Sequence, residues 1–156
     1  MMTGRTPLAA ATRTHWPCSD RANRAATLYN MLEPLGGAVD DSRILEALRS
    51  SCSQPLSVLA RWIVDRRVLH LPWGSATFFP CFQFASDGQL STYAPIPGVR
   101  RALVELDGVF DEMEIVEWFA RPNDWLGWRA PATVVTADAD WVVGAARADR
   151  YIASGW

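Results

Sequence analysis

The stretch that decides the fold spans residues 40–80 and reads DDSRILEALRSSCSQPLSVLARWIVDRRVLHLPWGSATFFP. Its first part repeats apolar residues at helical spacing in two segments, which a short turn at 50–53 separates. Its last part changes to a period of two, and the dipeptide Gly74-Ser75 divides it into two short runs. Because a glycine-first pair favours a tight hairpin turn, the stretch predicts helix, turn, helix and an antiparallel β-hairpin.

The second helix of this stretch is expected to run to about Arg67 and to bury one face. Four apolar residues are predicted to point inward: Leu56, Leu59, Ala60 and Ile63. The opposite face then carries Ser57, Arg61 and Asp65. The order of helices and hairpin is that of a winged helix-turn-helix, whose second helix enters the major groove while the wing follows the phosphates.

Hydrogen-bonding and cationic side chains surround that outer face, and arginine suits forked contacts with guanine or phosphate. The residues predicted to contact DNA are Arg49, Gln54, Ser57, Arg61, Arg66 and Arg67. The alternative is a helical bundle whose arginines are merely solvated.

Working outward, a helix is predicted before this stretch over about 21–35, behind a flexible arm at 1–18. Loop residues at 86–97 act as a linker to three further helices. These helices are expected over about 98–107, 111–121 and 138–152, with a short helical turn at 131–135. The predicted architecture is mainly α with one small antiparallel β-hairpin: a winged helix-turn-helix-like part at 19–85, then a small helical domain at 98–156.

Composition and charge set limits on the function. The chain has 156 residues, of which 49% are hydrophobic and 21% charged, an ordinary globular balance. With no apolar run of about 20 residues and no apolar leader, we expect a cytoplasmic protein without a membrane partner. Arginines exceed acids by 11 to 7 in residues 1–101, whereas acids exceed arginines by 10 to 4 in residues 102–156. This segregation is typical of two faces with different partners.

Residues suited to catalysis are sparse. The chain has two histidines, His15 and His70, and three scattered cysteines without the spacing of a metal site. No glycine-rich phosphate loop is present. We therefore expect no enzyme activity, no cofactor and no metal, and keep a small enzyme that uses Cys81 or His70 as the least favoured alternative.

The densest aromatic run of the chain lies at residues 118–131 and reads WFARPNDWLGWRAP. Four large aromatic rings cannot all be buried in so short a span, and exposed rings beside a rigid turn are typical anchors for protein partners. Eight tryptophans are also more than a compact monomer of this size readily buries. We therefore predict a homo-oligomer, formed through the hairpin or the C-terminal helices.

This run carries a resemblance. Its pattern W-F-x-x-P-N-x-x-L-G-x-R-x-P, followed by an alanine-rich last helix, resembles the toxin-binding domain of the Xre/MbcA/ParS antitoxin family. The segment Phe79–Phe84 is similar to the P-x-F-Q-F element of relatives with a winged, excisionase-like N-terminal part. The likeness covers roughly residues 40–155 and is strongest over 98–155.

The resemblance implies a type II antitoxin. It would bind a RES-type toxin, an enzyme that consumes NAD, and would repress its own operon by binding operator DNA. The residues assigned to toxin binding are Trp118, Asn123, Trp125, Leu126, Trp128, Arg129, Arg147 and Arg150. Among the family-matching positions, Pro122, Asn123, Gly127 and Pro131 are expected to shape the turn. The alternative is a protein-binding adaptor of the same fold that does not bind DNA.

Overall fold

The computed structural model describes residues 18–85 and 93–155. The predicted arm at 1–18 therefore lies outside the described residues except for Cys18, and so does most of the predicted linker at 86–97. The N-terminal part contains three helices and three strands, in the order α1 Cys18–Leu32, β1 Ala38–Asp40, α2 Asp41–Arg49, α3 Pro55–Val64, β2 Leu71–Trp73 and β3 Ala76–Pro80. This is the predicted order, with the addition of β1.

Local sequence signals explain where α2 and α3 begin and end. The Asp40 carboxylate caps α2 by accepting the Arg43 backbone N–H at 2.9 Å. Pro55 starts α3, where its missing N–H leaves no hydrogen bond unmade. At the other end of α3, Arg66 has a left-handed φ of 53° and donates its backbone N–H to the Ile63 carbonyl, a turn that usually employs glycine.

The three strands form one antiparallel sheet in the order β1-β3-β2. Gly74 and Ser75 make the two-residue turn between β2 and β3, and Gly74 has the positive φ that such a turn requires. The hairpin is confirmed, and each of its strands covers only part of the period-two stretch. The third strand, β1, pairs Val39 with Phe79 and went unpredicted because three residues are too few to show a period.

The C-terminal part is helical. After a two-stranded sheet made by β4 Phe84–Ala85 and β5 Ala94–Pro95, the helices are α4 Pro97–Leu106, α5 Glu112–Ala120, α6 Pro131–Val134 and α7 Ala139–Ser154. A capping box joins Asp111 and Glu114 at the start of α5. Gly98 lets α4 approach α7 closely, because a Cβ there would lie 2.8 Å from the Ala139 Cβ.

Two apolar clusters hold these elements together. The first combines Leu28 and Leu32 of α1 with the buried faces of α4, α5 and α7. The second lies between α2, α3 and β3 and contains Ile44, Trp62 and Phe79. Helix α1 therefore packs with the C-terminal helices although it precedes the helix-turn-helix, and the predicted division at 86–97 stays a prediction.

Helix α3 exposes the predicted outer residues Ser57, Arg61 and Asp65, but its exposed surface is wider than predicted. Leu59 is buried as expected, but Leu56 is 68% exposed and Ala60 is exposed as well. Trp62 is buried instead, against Phe84 at a ring-centroid distance of 6.3 Å. The inward prediction for Leu56 and Ala60 is wrong because the helix meets its neighbours through the Leu59–Trp62 side.

Among the helices of the described ranges, 18–85 and 93–155, none combines the length and the apolar composition needed to cross a membrane.

Candidate functional site: a braced tryptophan turn

The turn after α5 is built around Asn123. Its side-chain oxygen accepts the Trp125 backbone N–H at 2.9 Å, which caps the 3₁₀ turn Asp124–Leu126. Its backbone carbonyl accepts the Trp128 N–H at 3.0 Å, and its own N–H donates to the Arg129 carbonyl at 3.0 Å. With Asn123 91% buried, these bonds hold the turn in one conformation.

Asp149 of α7 fastens this turn to the last helix. Its carboxylate accepts three hydrogen bonds: from Trp118 Nε1 at 2.8 Å, from Asn123 Nδ2 at 2.7 Å and from Trp125 Nε1 at 3.1 Å. Hydrogen bonds to an ionised acceptor are among the stronger ones in proteins. Sequence reasoning missed Asp149, which stands 18 residues after Pro131 and gives no local signal of its role.

Three indole rings remain at the surface around this turn. Trp125 is 52% exposed, Trp128 73% and Trp141 of α7 41%. Trp141 Nε1 donates to the Trp125 carbonyl at 2.9 Å, and the Arg129 guanidinium lies over the Trp141 ring at 4.6 Å from its centroid. We call Trp125, Trp128, Trp141 and Arg129 the tryptophan face. Trp141 was not among the predicted contact residues.

Trp128 is held in an unfavourable backbone conformation. Its φ is 64°, directly after the left-handed Gly127 with φ 62°. A left-handed conformation costs a residue with a Cβ about 1–2 kcal/mol. Within the described residues the Trp128 ring makes no ring contact or side-chain hydrogen bond that would offset this cost. Strain of this kind clusters at functional positions and persists where the surrounding structure fixes the backbone, as the bond from the Trp128 N–H to the Asn123 carbonyl does here.

Not all residues assigned to toxin binding reach this surface. Leu126 has no exposed surface, Asn123 is 9% exposed, and Trp118 is half-buried. Leu126 fills the first apolar cluster and supports the turn from inside, and its contact with a toxin stays a prediction. Asn123 and Trp118 act by holding the turn in place.

Arg147 and Arg150 lie on another part of α7. Arg147 Nε is 2.7 Å from Glu105 Oε1, and Arg150 Nη1 is 3.3 Å from Glu105 Oε2. The two arginines and Tyr151 line an open depression of about 520 Å³. Because both cations share one carboxylate of α4, they fasten α7 to α4.

The residues assigned to DNA contact also differ in exposure and in ion pairing. Gln54, Ser57, Arg49 and Arg61 are exposed, and Arg67 is half-buried. In the described part of the chain, Arg49, Arg61 and Arg67 have no ion-pair partner. Three apolar residues, Leu56, Ala60 and Val64, follow one another along the exposed face of α3 at helical spacing, and Val64 is 79% exposed.

Arg66, also assigned to DNA, is paired with the C-terminal part instead. Its guanidinium contacts Glu112 Oε2 at 2.6 Å and Asp107 Oδ1 at 3.2 Å. Burial alone would raise the pKa of Glu112, but the polar contacts with His70 and the ion pair with Arg66 outweigh it and hold that pKa below its ordinary value. The Arg66 charge is therefore offset within the chain by two carboxylates, and its contact with phosphate stays a prediction.

The residues of the least favoured alternative, His70 and Cys81, have different surroundings. His70 Nδ1 lies 3.4 Å from Glu112 Oε1, and Cys81 is half-buried, which raises the pKa of its thiol and keeps it protonated. Across residues 18–85 and 93–155 no group of three His, Cys, Asp or Glu side chains is placed to hold a metal ion.

Comparison of the chain with protein-family models, with curated proteins and with solved structures finds no match.

Proposed function

We propose that this chain is a cytoplasmic type II antitoxin that binds and neutralises a RES-type, NAD-consuming toxin through its tryptophan face. The observation that carries the proposal is a set of three exposed indoles on a turn that buried hydrogen bonds hold rigid. The identity of the toxin rests on the resemblance of residues 118–131 to antitoxins.

The rigidity of the face favours protein binding. Trp125 and Trp141 use their indole N–H groups within the chain, so they present fixed ring surfaces to a partner. A preorganised aromatic side chain loses little conformational freedom on binding, which is why tryptophan is common among interface hot spots. The surrounding aspartates, Asp124, Asp138 and Asp140, disfavour a nucleic-acid ligand at this face.

The N-terminal part supports a second activity, repression of the chain's own operon. The element order of α2, α3 and the hairpin β2–β3 is that of a helix-turn-helix followed by a wing. Arg49, Arg61 and Arg67 supply cations that are free of ion pairs among the described residues, and Gln54 and Ser57 supply hydrogen-bonding groups.

One observation favours the second candidate function, an adaptor that does not bind DNA. The exposed face of α3 presents Leu56, Ala60 and Val64, whereas a helix in the major groove reads bases chiefly with polar side chains. An apolar surface of this kind is more typical of a contact with protein.

Toxin neutralisation is tested by co-expressing the chain with a RES-type toxin and measuring growth. We expect the natural chain to restore growth and Trp128→Gly to lose that rescue, because the substitution removes the most exposed ring while glycine accepts the left-handed φ. Trp73→Ala, at a hairpin tryptophan that is 38% exposed, is the matched control and should still rescue. Rescue by Trp128→Gly equal to that of the natural chain would contradict the assignment.

DNA binding is tested by mobility shift on the chain's own upstream region. Several phosphate contacts should weaken binding by about tenfold or more between about 50 and 200 mM salt. Arg49→Ala with Arg61→Ala should reduce binding further, whereas Arg66→Ala removes a cation that is already paired and should matter less. Binding that is absent, or insensitive to the first pair, favours the adaptor.

A further inference from the structure

Two exposed apolar surfaces of this chain differ in the charge around them. The first is the α3 stripe, which we define as Leu56, Ala60 and Val64. The second is the tryptophan face. Each surface exposes apolar side chains to solvent: Val64 of the α3 stripe is 79% exposed, and Trp128 of the tryptophan face is 73% exposed. Surfaces of this kind mark contact sites.

The α3 stripe lies among cations. Arg61 stands on α3 between Ala60 and the end of the helix and is exposed. Arg49 ends α2 just before the turn into α3, and Arg67 follows α3. Asp65 is exposed at the end of the helix, and Arg66 pairs there with Asp107 and Glu112, so Arg49, Arg61 and Arg67 leave the surroundings of the stripe with a net positive charge.

The tryptophan face lies among carboxylates. Asp124, Asp138 and Asp140 are exposed, and Asp149 lies beneath the rings. Against these four acids stand Arg129 on the Trp141 ring and Arg101 of α4, which pairs with Asp140 at 2.6 Å. The surroundings of this face therefore keep a net negative charge.

We propose that the α3 stripe of one copy docks on the tryptophan face of a second copy of this chain, head to tail. The apolar surfaces would cover each other while Arg61 enters an aromatic, acidic environment, where cation–π contact adds to charge attraction. A contact between two α3 stripes would bring the Arg61 side chains of both copies close together. A contact between two tryptophan faces would bring the carboxylates of both copies close together. Like charges oppose both symmetric arrangements.

The size of the surfaces predicts a weak contact. At about 150–250 Å² for each buried aromatic side chain, the exposed parts of the three indoles amount to roughly 250–400 Å². That is below the about 800 Å² that each partner contributes to a stable complex. A head-to-tail contact also leaves one free surface at each end, so it extends into short chains or closes into a ring.

The first measurement is sedimentation equilibrium of the purified full chain over a range of concentrations. We expect the average mass to rise with concentration, and the association to weaken about tenfold when salt rises from about 0.1 to about 1 M, since the Debye length falls from about 10 to about 3 Å. A strictly monomeric chain up to several hundred micromolar, on the order of the weakest specific contacts, would overturn the proposal.

The second measurement mixes two variants, each blocked on one surface. Leu56→Glu places an acid in the first turn of α3, which the helix dipole tolerates, and makes the stripe repel the acidic face. Trp128→Gly removes the most exposed ring at a position that accepts glycine. Each variant alone should be monomeric, whereas an equimolar mixture should form a one-to-one dimer, because each variant keeps the surface that the other has lost.

Other outcomes separate the alternatives. If Trp128→Gly self-associates normally, the contact does not use the tryptophan face. If Leu56→Glu self-associates normally, the contact does not use α3. Either result overturns the proposal, and so does a mixture of the two variants that stays monomeric. Val104→Glu, at an α4 residue that is 63% exposed, is the matched control and should leave association unchanged. Val64→Glu replaces Leu56→Glu if the latter fails to fold by circular dichroism.

The proposal uses the tryptophan face but not the identity of any toxin. Purified chain alone reports the self-contact, and growth rescue reports toxin capture, so either can fail without the other. If both hold, a RES-type toxin and a second copy compete for one surface, and adding toxin should dissociate the assembly.

Discussion

Two aromatic segments of this chain employ a buried amide in opposite ways. In the segment Phe79–Phe84, Gln83 is fully buried and pairs with the backbone of Leu69: its Nε2 donates to the carbonyl at 2.9 Å, and its Oε1 accepts the N–H at 2.6 Å. The segment's rings face inward, with Phe82 stacked on Phe119 at 5.2 Å and Phe84 in the second cluster. This segment joins the two apolar clusters and presents little to a partner.

In the turn at 118–131 the buried amide of Asn123 supports rings that face outward. The positions that match the antitoxin pattern, such as Phe119, Leu126 and Gly127, form the core or the turn itself. The exposed indoles Trp125 and Trp128 stand at positions that the pattern leaves open. The comparison indicates that most fixed positions of the motif support the turn, whereas the exposed indoles of the turn lie between them.

The largest effect is expected from Gln83→Leu. The change leaves the buried N–H and carbonyl of Leu69 without partners, and each unsatisfied group costs about 1–3 kcal/mol, so we expect a loss of about 3 kcal/mol in the free energy of unfolding. Urea denaturation measures it. Gln54→Leu, at an exposed glutamine without a side-chain cap bond, should change stability by less than about 0.5 kcal/mol. A small effect at Gln83 would mean that water replaces the amide.

In the tryptophan turn, Asp149→Ala should cost about 2 kcal/mol, because three donors lose one charged acceptor but two of them lie near solvent. The loss should be accompanied by a changed fluorescence emission of Trp118 and Trp125. Asp140→Ala removes a carboxylate that is 84% exposed and should leave both stability and emission nearly unchanged. Equal effects of the two substitutions would contradict the bracing role of Asp149.

Sequence reasoning predicted the elements better than their contacts. Helical spacing, Pro55 at the start of α3 and the Gly74-Ser75 turn are local signals, and the helices and the hairpin follow from them. The full extent of the exposed face of α3 did not, because Leu56, Leu59 and Trp62 are all apolar and only tertiary packing decides which of them is covered.

The candidate site shows the same limit. An aromatic surface near residues 118–131 could be predicted from the crowding of rings, and Trp125 and Trp128 are exposed. The part that Asp149 and Trp141 play depends on α7 packing across the turn, at sequence separations of 16 to 31 residues. The ion pair that occupies Arg66 likewise joins residues 46 apart.

The support of the tryptophan face can be probed at two glycines with opposite expected effects. Gly98→Ala should cost about 1–2 kcal/mol, because its Cβ would meet Ala139 and Val135 where α4 packs on α7. Gly144→Ala, on the exposed side of α7 with no atom within 4 Å, should stabilise by about 0.5–1 kcal/mol through helix propensity. Thermal unfolding measures both. A stabilising Gly98→Ala would show that α4 and α7 separate readily.

The strain at Trp128 separates binding from stability. Trp128→Gly should raise the free energy of unfolding by at most about 1 kcal/mol, since the relief of the left-handed φ exceeds the greater freedom that glycine gives the unfolded chain. The same variant should lose partner binding. Urea denaturation measures the free energy of unfolding, and a pull-down measures partner binding. A destabilised Trp128→Gly would mean that the ring packs within the chain and is not held ready for a partner.

Arg66 is comparable to Trp128 in its backbone strain, but ion pairs within the chain offset that strain. It too is left-handed, but Glu112 and Asp107 pair with it, so at pH 7 we expect Arg66→Gly to change stability by less than about 0.5 kcal/mol. The pKa of Glu112 is held below its ordinary 4.5, so its contribution is complete at neutral pH and is lost as the pH falls through that lowered value.

In acid the natural chain therefore loses the pair but keeps the strain, and Arg66→Gly should become stabilising relative to it. Urea denaturation across the acid range measures this crossover. Trp128→Gly is the control: it removes no ion pair and should show the same gain in stability at both pH values. If the stability of the two variants depends on pH in the same way, the Glu112 pair does not compensate for the strain at Arg66.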